Sequence, residues 1–213
     1  MNPPRFISRL LSSPALASQE AATDGWTLFD TTETYPDLAT PFTVRVPPGF
    51  AALPPPGQTS LDASSLLVTL REFHLKAGVP GRAATLTLGM VLAPAWAAEE
   101  GGQAALEHWD GVGNDMAMGH GAVFDGARQF TFRGKASADL FFSGLPAPGR
   151  PGGVRAFSAV RAVIAGEAHV LLGSVYGFPS AEAQARGYSS RENPFLRESF
   201  LPFADSILFK RLK

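Results

Sequence analysis

A pair of neighbouring extended segments near the C-terminus constrains the fold most. Val154–Ile164 and Ala168–Tyr176 are rich in apolar residues and are separated by a short glycine-containing turn, a pattern that predicts a β-hairpin. In the second segment, Val170 and Leu171 point to opposite sides of an extended chain. Apolar residues on both sides are typical of a central strand that is covered on both faces. We therefore expect this hairpin at the centre of a sheet, with a helix on each face.

Further strand candidates occur along the rest of the chain, most of them alternating apolar and polar residues with a period of two. They are Phe42–Val46, Leu66–His74, Ala84–Leu92, residues 129–133 and Leu140–Phe142. A short strand or extended tail is expected over Ser206–Lys210. The chain is therefore predicted to be α+β, an antiparallel β-sheet with helices packed on its faces in an α/β/α sandwich.

Two segments show helical signals instead. Ala97–Met118 places Trp109 and Met116 on one apolar helical face, although its four glycines lower its helix propensity. Asn193, followed by a proline, predicts a capped helix start. Pro202 is expected to kink or end this second helix, because proline lacks the amide hydrogen that the helix needs.

The chain is expected to form a single α+β domain over residues 26–213, preceded by an arm or leader over residues 1–25. Ala15–Ala17 resembles a signal-peptide cleavage site that follows Arg5 and Arg9, but the apolar stretch before it is short and interrupted. The alternative is a short amphipathic helix or tail that docks on the domain or on a partner. The compartment is left open, with the cytoplasm favoured over export.

The composition argues against several classes of protein. The 18 basic and 19 acidic residues give a net charge of −1, and no basic stripe suggests nucleic-acid binding. The absence of cysteine excludes disulfides, thiolate nucleophiles and cysteine-ligated zinc. No run approaches the roughly 18 apolar residues of a membrane helix, so no integral membrane segment is expected.

Four histidines were considered as metal ligands or catalytic groups: His74, His108, His120 and His169. None has the close spacing of a metal motif. His74 and His169 lie in predicted strands and could approach each other across a sheet, which would make a metal pair. The alternative, surface or hydrogen-bonded histidines, is favoured because no acidic cluster is near.

Other short motifs do not meet the requirements of a catalytic or cofactor-binding site. Glu107–Asp110 groups acids with a histidine, but neighbouring residues on a helix point in different directions. Gly111–Met116 begins like a dinucleotide-binding motif and lacks its third glycine. Ser174 does not complete the nucleophile motif of the hydrolases. We therefore predict no catalytic, cofactor-binding or metal residues, and no cofactor.

Some apolar side chains and loops are candidate contact sites. Trp109, Met116 and Met118 either line a hydrophobic pocket or belong to the core, and the core is favoured. The proline-rich loops Ala51–Ser60 and Leu145–Gly153 either contact a partner or are plain connections.

Three features together resemble a known superfamily. The strand Phe42–Val46 ends in two prolines, a glycine and Phe50; a hairpin spans Val154–Tyr176; and a final helix runs into Phe203–Phe209. This arrangement resembles the PsbP-like and DcrB-like α/β/α sandwiches. Members serve as photosystem assembly or extrinsic subunits, bacterial lipoproteins, small-GTPase partners and type VI secretion effector chaperones. The resemblance implies a binding or scaffolding role and supplies no catalytic residues, while the missing lipobox cysteine disfavours the lipoprotein branch.

The leading hypothesis is a non-catalytic binding module with a protein partner: an adaptor, a chaperone or an assembly or accessory subunit of a bacterial protein complex. One alternative is an accessory protein of the toxin-immunity type. Another is an enzyme or small-ligand carrier with a dispersed site around His108 and His120.

Overall fold

The computed structural model describes residues 20–21, 25–36, 38, 40–53, 67–75, 83–92, 104–145, 154–165 and 168–210. The strands within them are β1 Glu20–Ala21, β2 Thr27–Asp30, β3 Phe42–Val46, β4 Phe50–Ala52, β5 Leu67–Leu75, β6 Ala83–Leu92, β7 Val123–Phe132, β8 Lys135–Leu145, β9 Val154–Ala165, β10 Ala168–Pro179 and β11 Leu208–Phe209. The helices are α1 Thr31–Thr34, α2 Ala104–His120, α3 Ser180–Arg186 and α4 Leu201–Asp205, which a π-helical turn Leu196–Phe200 precedes.

The main sheet has seven strands in the order β4-β5-β6-β10-β9-β8-β7, and its neighbours run antiparallel. The predicted hairpin is confirmed: β9 pairs with β10 from Ala165 opposite Ala168 to Val154 opposite Pro179. On its other side β10 pairs with β6, so it is the central strand, as expected. The predicted strands β5 and β6 also form, and they pair antiparallel with each other.

A second, smaller sheet was not predicted. It has four strands in the order β1-β2-β3-β11. Leu208 and Phe209 pair with Thr43 and Phe42. The expected C-terminal strand therefore forms, and it pairs with β3. β2 and β11 have four and two residues, which is too short for alternation to be recognised in the sequence.

Alternate residues of the main sheet enter two separate cores. The first core combines one face of the sheet with the small sheet and the C-terminal helical segments, through residues such as Leu86, Phe29 and Phe203. The second combines the opposite face with α2, through Leu140 and Trp109. An α+β chain on antiparallel sheets is therefore confirmed, while the sandwich with a helical layer on each face stays a prediction.

The C-terminal helical segment corrects one expectation. Asn193 caps its start as predicted, because its Oδ1 accepts a hydrogen bond from the Leu196 amide at 2.8 Å. Pro202 does not end the helix, which continues to Asp205. The π-helical turn before Pro202 widens the backbone, and the Leu201 amide donates to the carbonyl of Leu196, five residues earlier. The wider turn accommodates the proline.

The predicted arm falls mostly outside the described residues, as do the first turns of the helix expected from Ala97. Glu20 and Ala21, which the arm was expected to include, pair with Leu28 and Thr27 of β2. Most of the loop Leu145–Gly153 and of the loop Ala51–Ser60 also lies outside the described ranges, so partner contact and plain connection both stay hypotheses for them.

Candidate functional site

A cavity of about 270 Å³ lies between the end of α2 and the main sheet. Met116 and His120 border it from α2, and the apolar side chains of Phe142, Val160 and Leu171 border it from β8, β9 and β10. The volume exceeds the roughly 150 Å³ that holds a benzene molecule. It is slightly below the roughly 300 Å³ at which pockets for drug-sized ligands begin. The cavity therefore suits one bulky apolar group.

The position of α2 depends on a glycine. A Cβ atom at Gly113 would lie 2.3 Å from the ring of Phe124 on β7, so only a residue without a side chain lets the helix pack this closely. Trp109 on the same helix face is 1% exposed, and its ring centroid lies 5.1 Å from that of His169. These contacts fix α2 over one side of the sheet, and its last turn borders the cavity.

Two glycines line the side of the cavity that the main sheet forms. Gly173 of β10 lies opposite Thr87 of β6, and Gly89 of β6 lies opposite Leu171. A Cβ atom at Gly173 would approach the Thr87 hydroxyl to 2.7 Å. Because neither glycine fills the space above the sheet, the neighbouring strands leave room for a guest.

Polar groups are spaced around the apolar lining. Thr69, Thr87 and Ser158 carry hydroxyls, and His120 carries an imidazole. Hydroxyls both donate and accept hydrogen bonds, as does a neutral imidazole through its two nitrogens. A few polar groups in an apolar pocket fix the orientation of a ligand. The lining therefore fits a guest with an apolar body and a polar atom at its edge.

Two exposed hydrophobic side chains lie close in sequence to residues that line the cavity. Among the described residues, the exposed large hydrophobics are Met118 at 74%, Val123 at 59% and Leu208 at 50%. Met118 lies on α2 between the lining residues Met116 and His120, and Val123 directly follows the lining residue Ala122.

The three candidate residues for a hydrophobic pocket lie in different environments. Met116 lines the cavity, Trp109 belongs to the second core, and Met118 is exposed. The sequence pattern placed Trp109 and Met116 on one predicted helical face. The pattern did not show which of the three side chains is buried, lines the cavity or is exposed, because this depends on which strands the helix crosses.

His74 and His169, considered as a metal pair and disfavoured on sequence grounds, do not approach each other. His74 lies opposite Thr85 of β6 and His169 lies opposite Val91, so six residues of β6, about 20 Å of extended chain, separate their positions. His74 instead has Glu72 3.6 Å away, and His169 is buried beside Trp109. No group of three or more potential metal ligands occurs in the part of the chain that the structure describes.

His120 is the histidine that borders the cavity. An enzyme site of the dispersed kind would need an acid beside this imidazole, and no aspartate or glutamate is among the described lining residues. His108 lies on α2, but its side chain falls outside the described ones. Asp110 on the same helix is exposed while Trp109 is buried, as expected of neighbours that point in different directions.

The rejected motifs have structural explanations. Gly111 and Gly113 lie within α2 and not in a strand-to-helix turn. Ser174 bonds to the neighbouring strand, since its hydroxyl donates to the Ala159 carbonyl at 3.1 Å and accepts from the Ala159 amide at 3.3 Å. Among the helices described, none has the length and apolar character of a membrane span.

Comparison with known proteins finds similarity in structure and none in sequence. No protein-family model and no curated protein sequence matches this chain. The chain is similar to the solution structure of the PsbP protein of the cyanobacterium Synechocystis, with 12% identity and a TM-score of 0.47 over 94% of this chain and 99% of that one. A protein of unknown function from Pseudomonas aeruginosa is 16% identical, with a TM-score of 0.37 over 65% of this chain and 88% of that one.

Most of the cavity was missed by sequence reasoning. Thr69 and Thr87 were part of recognised strands, where a polar residue between apolar ones signals only a half-buried face. Gly89 and Gly173 could have been noted, because a glycine within a strand weakens it and often marks a close approach. Their place in one cavity depends on the pairing of β6 with β10, which is a long-range property.

Proposed function

We propose that this chain is a non-catalytic binding module, an accessory protein that holds a protein partner through the cavity at the end of α2. The partner inserts one bulky apolar side chain into the cavity. The observation that carries this proposal is the cavity of about 270 Å³ with its largely apolar lining, to which Met116, Phe142 and Leu171 contribute. The PsbP-like family membership inferred from the end motifs is part of the same proposal.

A protein partner is favoured over a free small ligand because of the surroundings of the cavity. A carried small molecule is usually buried almost completely by its protein, whereas Met118 and Val123 present apolar surface outside the cavity. A buried anchor side chain surrounded by further contacts that exclude water is the usual arrangement at the centre of a protein interface. The small-ligand carrier and the dispersed enzyme site around His108 and His120 remain alternative hypotheses, as does the toxin-immunity type.

The location of the contact is tested by photo-crosslinking in the native host. A benzophenone amino acid is placed at Met118, and the matched control carries it at Leu208, an exposed hydrophobic residue on the small sheet. We expect a defined protein adduct from position 118 and none of the same mass from position 208. Equal adducts from both positions, or none from 118, would contradict the proposal.

The anchor itself is tested with a synthetic peptide that spans the crosslinked segment. Val175 lines the cavity from β10 and is half-buried, so Val175→Phe fills part of the space. We expect this variant to bind the peptide at least tenfold more weakly than the unaltered chain, with Leu208→Asp as a control of unchanged affinity. Unchanged binding by Val175→Phe would exclude the cavity as the anchor site. A small molecule that co-purifies in native mass spectrometry and is displaced by Val175→Phe would favour the carrier instead.

A further inference from the structure

Arg71 is turned towards the protein interior by an irregularity in β5. The pairing with β6 passes from Thr69 opposite Gly89 to Arg71 opposite Leu88, so β5 has one extra residue, Leu70, at this point. A bulge of this kind changes the direction of the side chains that follow it. Arg71 thereby takes the register position opposite a residue of the first core, and it is only 5% exposed.

The buried guanidinium has no anionic partner in the described part of the chain. Its Nε and Nη1 atoms are buried and form no hydrogen bond there. Burial lowers the pKa of Arg71, and its electrostatic neighbour is the phenol of Tyr35 and not a carboxylate. Because a buried charge without a counter-charge is strongly unfavourable, these donors are suited to an anion from outside.

Tyr35 lies beside the bulge and Thr34 precedes it in the sequence. The Tyr35 hydroxyl donates to the Leu70 carbonyl at 2.6 Å, which fixes the phenol against the bulge. Thr34, the preceding residue, is fully buried, and its Oγ1 also forms no hydrogen bond within the described residues. Buried polar atoms without partners are uncommon in folded proteins and call for a specific explanation.

We propose that Arg71 binds a small oxyanion, a carboxylate or phosphate group, with the Tyr35 hydroxyl as the neighbouring polar group. Arginine is suited to both groups because its planar guanidinium donates several parallel hydrogen bonds. This site is independent of the proposed partner contact, because Arg71 lies with the first core and the α2 cavity lies on the other face of the sheet.

The first test follows the arginine Nε–H resonances of the full chain by nuclear magnetic resonance. Sodium phosphate and sodium acetate are titrated separately, with sodium chloride at matched ionic strength as the baseline. We expect the Arg71 resonance, identified by its loss in Arg71→Lys, to shift saturably with one of the two anions. The exposed Arg155 serves as the internal control and is expected to stay in place. An Arg71 resonance that neither anion moves, or that moves only as Arg155 does, would overturn the proposal.

The second test compares melting temperatures of the unaltered chain and of Arg71→Met. Without added anion the methionine variant is expected to melt higher, because it removes an uncompensated buried charge. The effective anion is expected to raise the melting temperature of the unaltered chain by about 3–6 °C at tenfold excess over its dissociation constant, beyond any rise in the variant. Equal rises in both proteins would contradict the site, and if Arg71→Met does not fold, the resonance titration decides.

Discussion

The guanidinium of Arg161 binds the carboxylate of Asp139 through two hydrogen bonds, Nε to Oδ1 at 2.7 Å and Nη2 to Oδ2 at 3.1 Å. Both side chains are almost fully buried. The rings of Phe130 and Phe132 lie 4.9 and 5.3 Å from the guanidinium carbon. Arg161 also binds the carboxylate of Asp205 at the end of α4. The pair therefore joins the main sheet to the C-terminal helical segment.

Removal of the buried carboxylate is expected to destabilise the fold strongly. Asp139→Asn leaves the Arg161 guanidinium buried with only the exposed Asp205 as counter-charge, and we expect a loss of about 3 kcal/mol in the free energy of unfolding. The matched control is Asp205→Asn, which removes a 60% exposed carboxylate and is expected to cost at most about 1 kcal/mol. Urea denaturation measures both, and equal costs would contradict this account.

The close packing of α2 is tested by two glycines of the same helix. Gly113→Ala places a methyl group against the Phe124 ring, and we expect a cost of about 1–3 kcal/mol. At Gly111 a Cβ atom would meet nothing within 4 Å. Gly111→Ala is therefore expected to stabilise the helix by about 0.5–1 kcal/mol. Urea denaturation of the two variants decides, and a stabilising Gly113→Ala would show that α2 does not pack as described.

The pH dependence of stability reports on Asp30, which caps α1 through the Thr32 amide and binds Lys210. Burial acts to raise the pKa of Asp30, but the hydrogen bonds from Lys210 and Thr32 outweigh it and lower the pKa below its ordinary value of 3.8. A depressed folded-state pKa gives a stabilisation that is fully present above the unfolded-state pKa. It is lost as the pH falls through the folded-state pKa.

Asp30→Asn keeps an effective helix cap and removes the charge. The variant is expected to be less stable than the unaltered chain by about 0.2–1 kcal/mol at neutral pH. This difference is expected to shrink as the pH falls below 3.8. Urea denaturation between neutral and acidic pH tests the prediction, and a difference that grows on acidification would contradict the assigned ion pair.

The main sheet could be predicted from sequence because its strands are long and strongly patterned. β9 and β10 have 12 residues each, so their apolar residues identify both the strands and their central position. The small sheet could not be predicted, since Leu208 and Phe209 form a strand only by pairing with β3. Pro202 was interpreted by a local rule, and the π-helical turn before it removes the conflict that the rule assumes.

The candidate sites could not be predicted from local sequence patterns, for the same physical reason. The α2 cavity exists because Gly89 and Gly173 become neighbours of helix residues distant in sequence. Arg71 reads as a surface residue between Leu70 and Glu72, and only the bulge in β5 turns it inward. Register and bulges are decided by pairing with other strands, which a single segment does not encode.

The most direct test of the proposed binding cavity uses the methionine methyl groups of the chain as probes. Met116 lines the cavity, whereas Met90 is buried in the opposite core. With benzene as the guest, we predict a saturable shift of the Met116 methyl resonance that Val175→Phe abolishes, while the Met90 resonance stays unchanged. An unmoved Met116 resonance, or equal shifts at Met116 and Met90, would contradict a binding cavity at the end of α2.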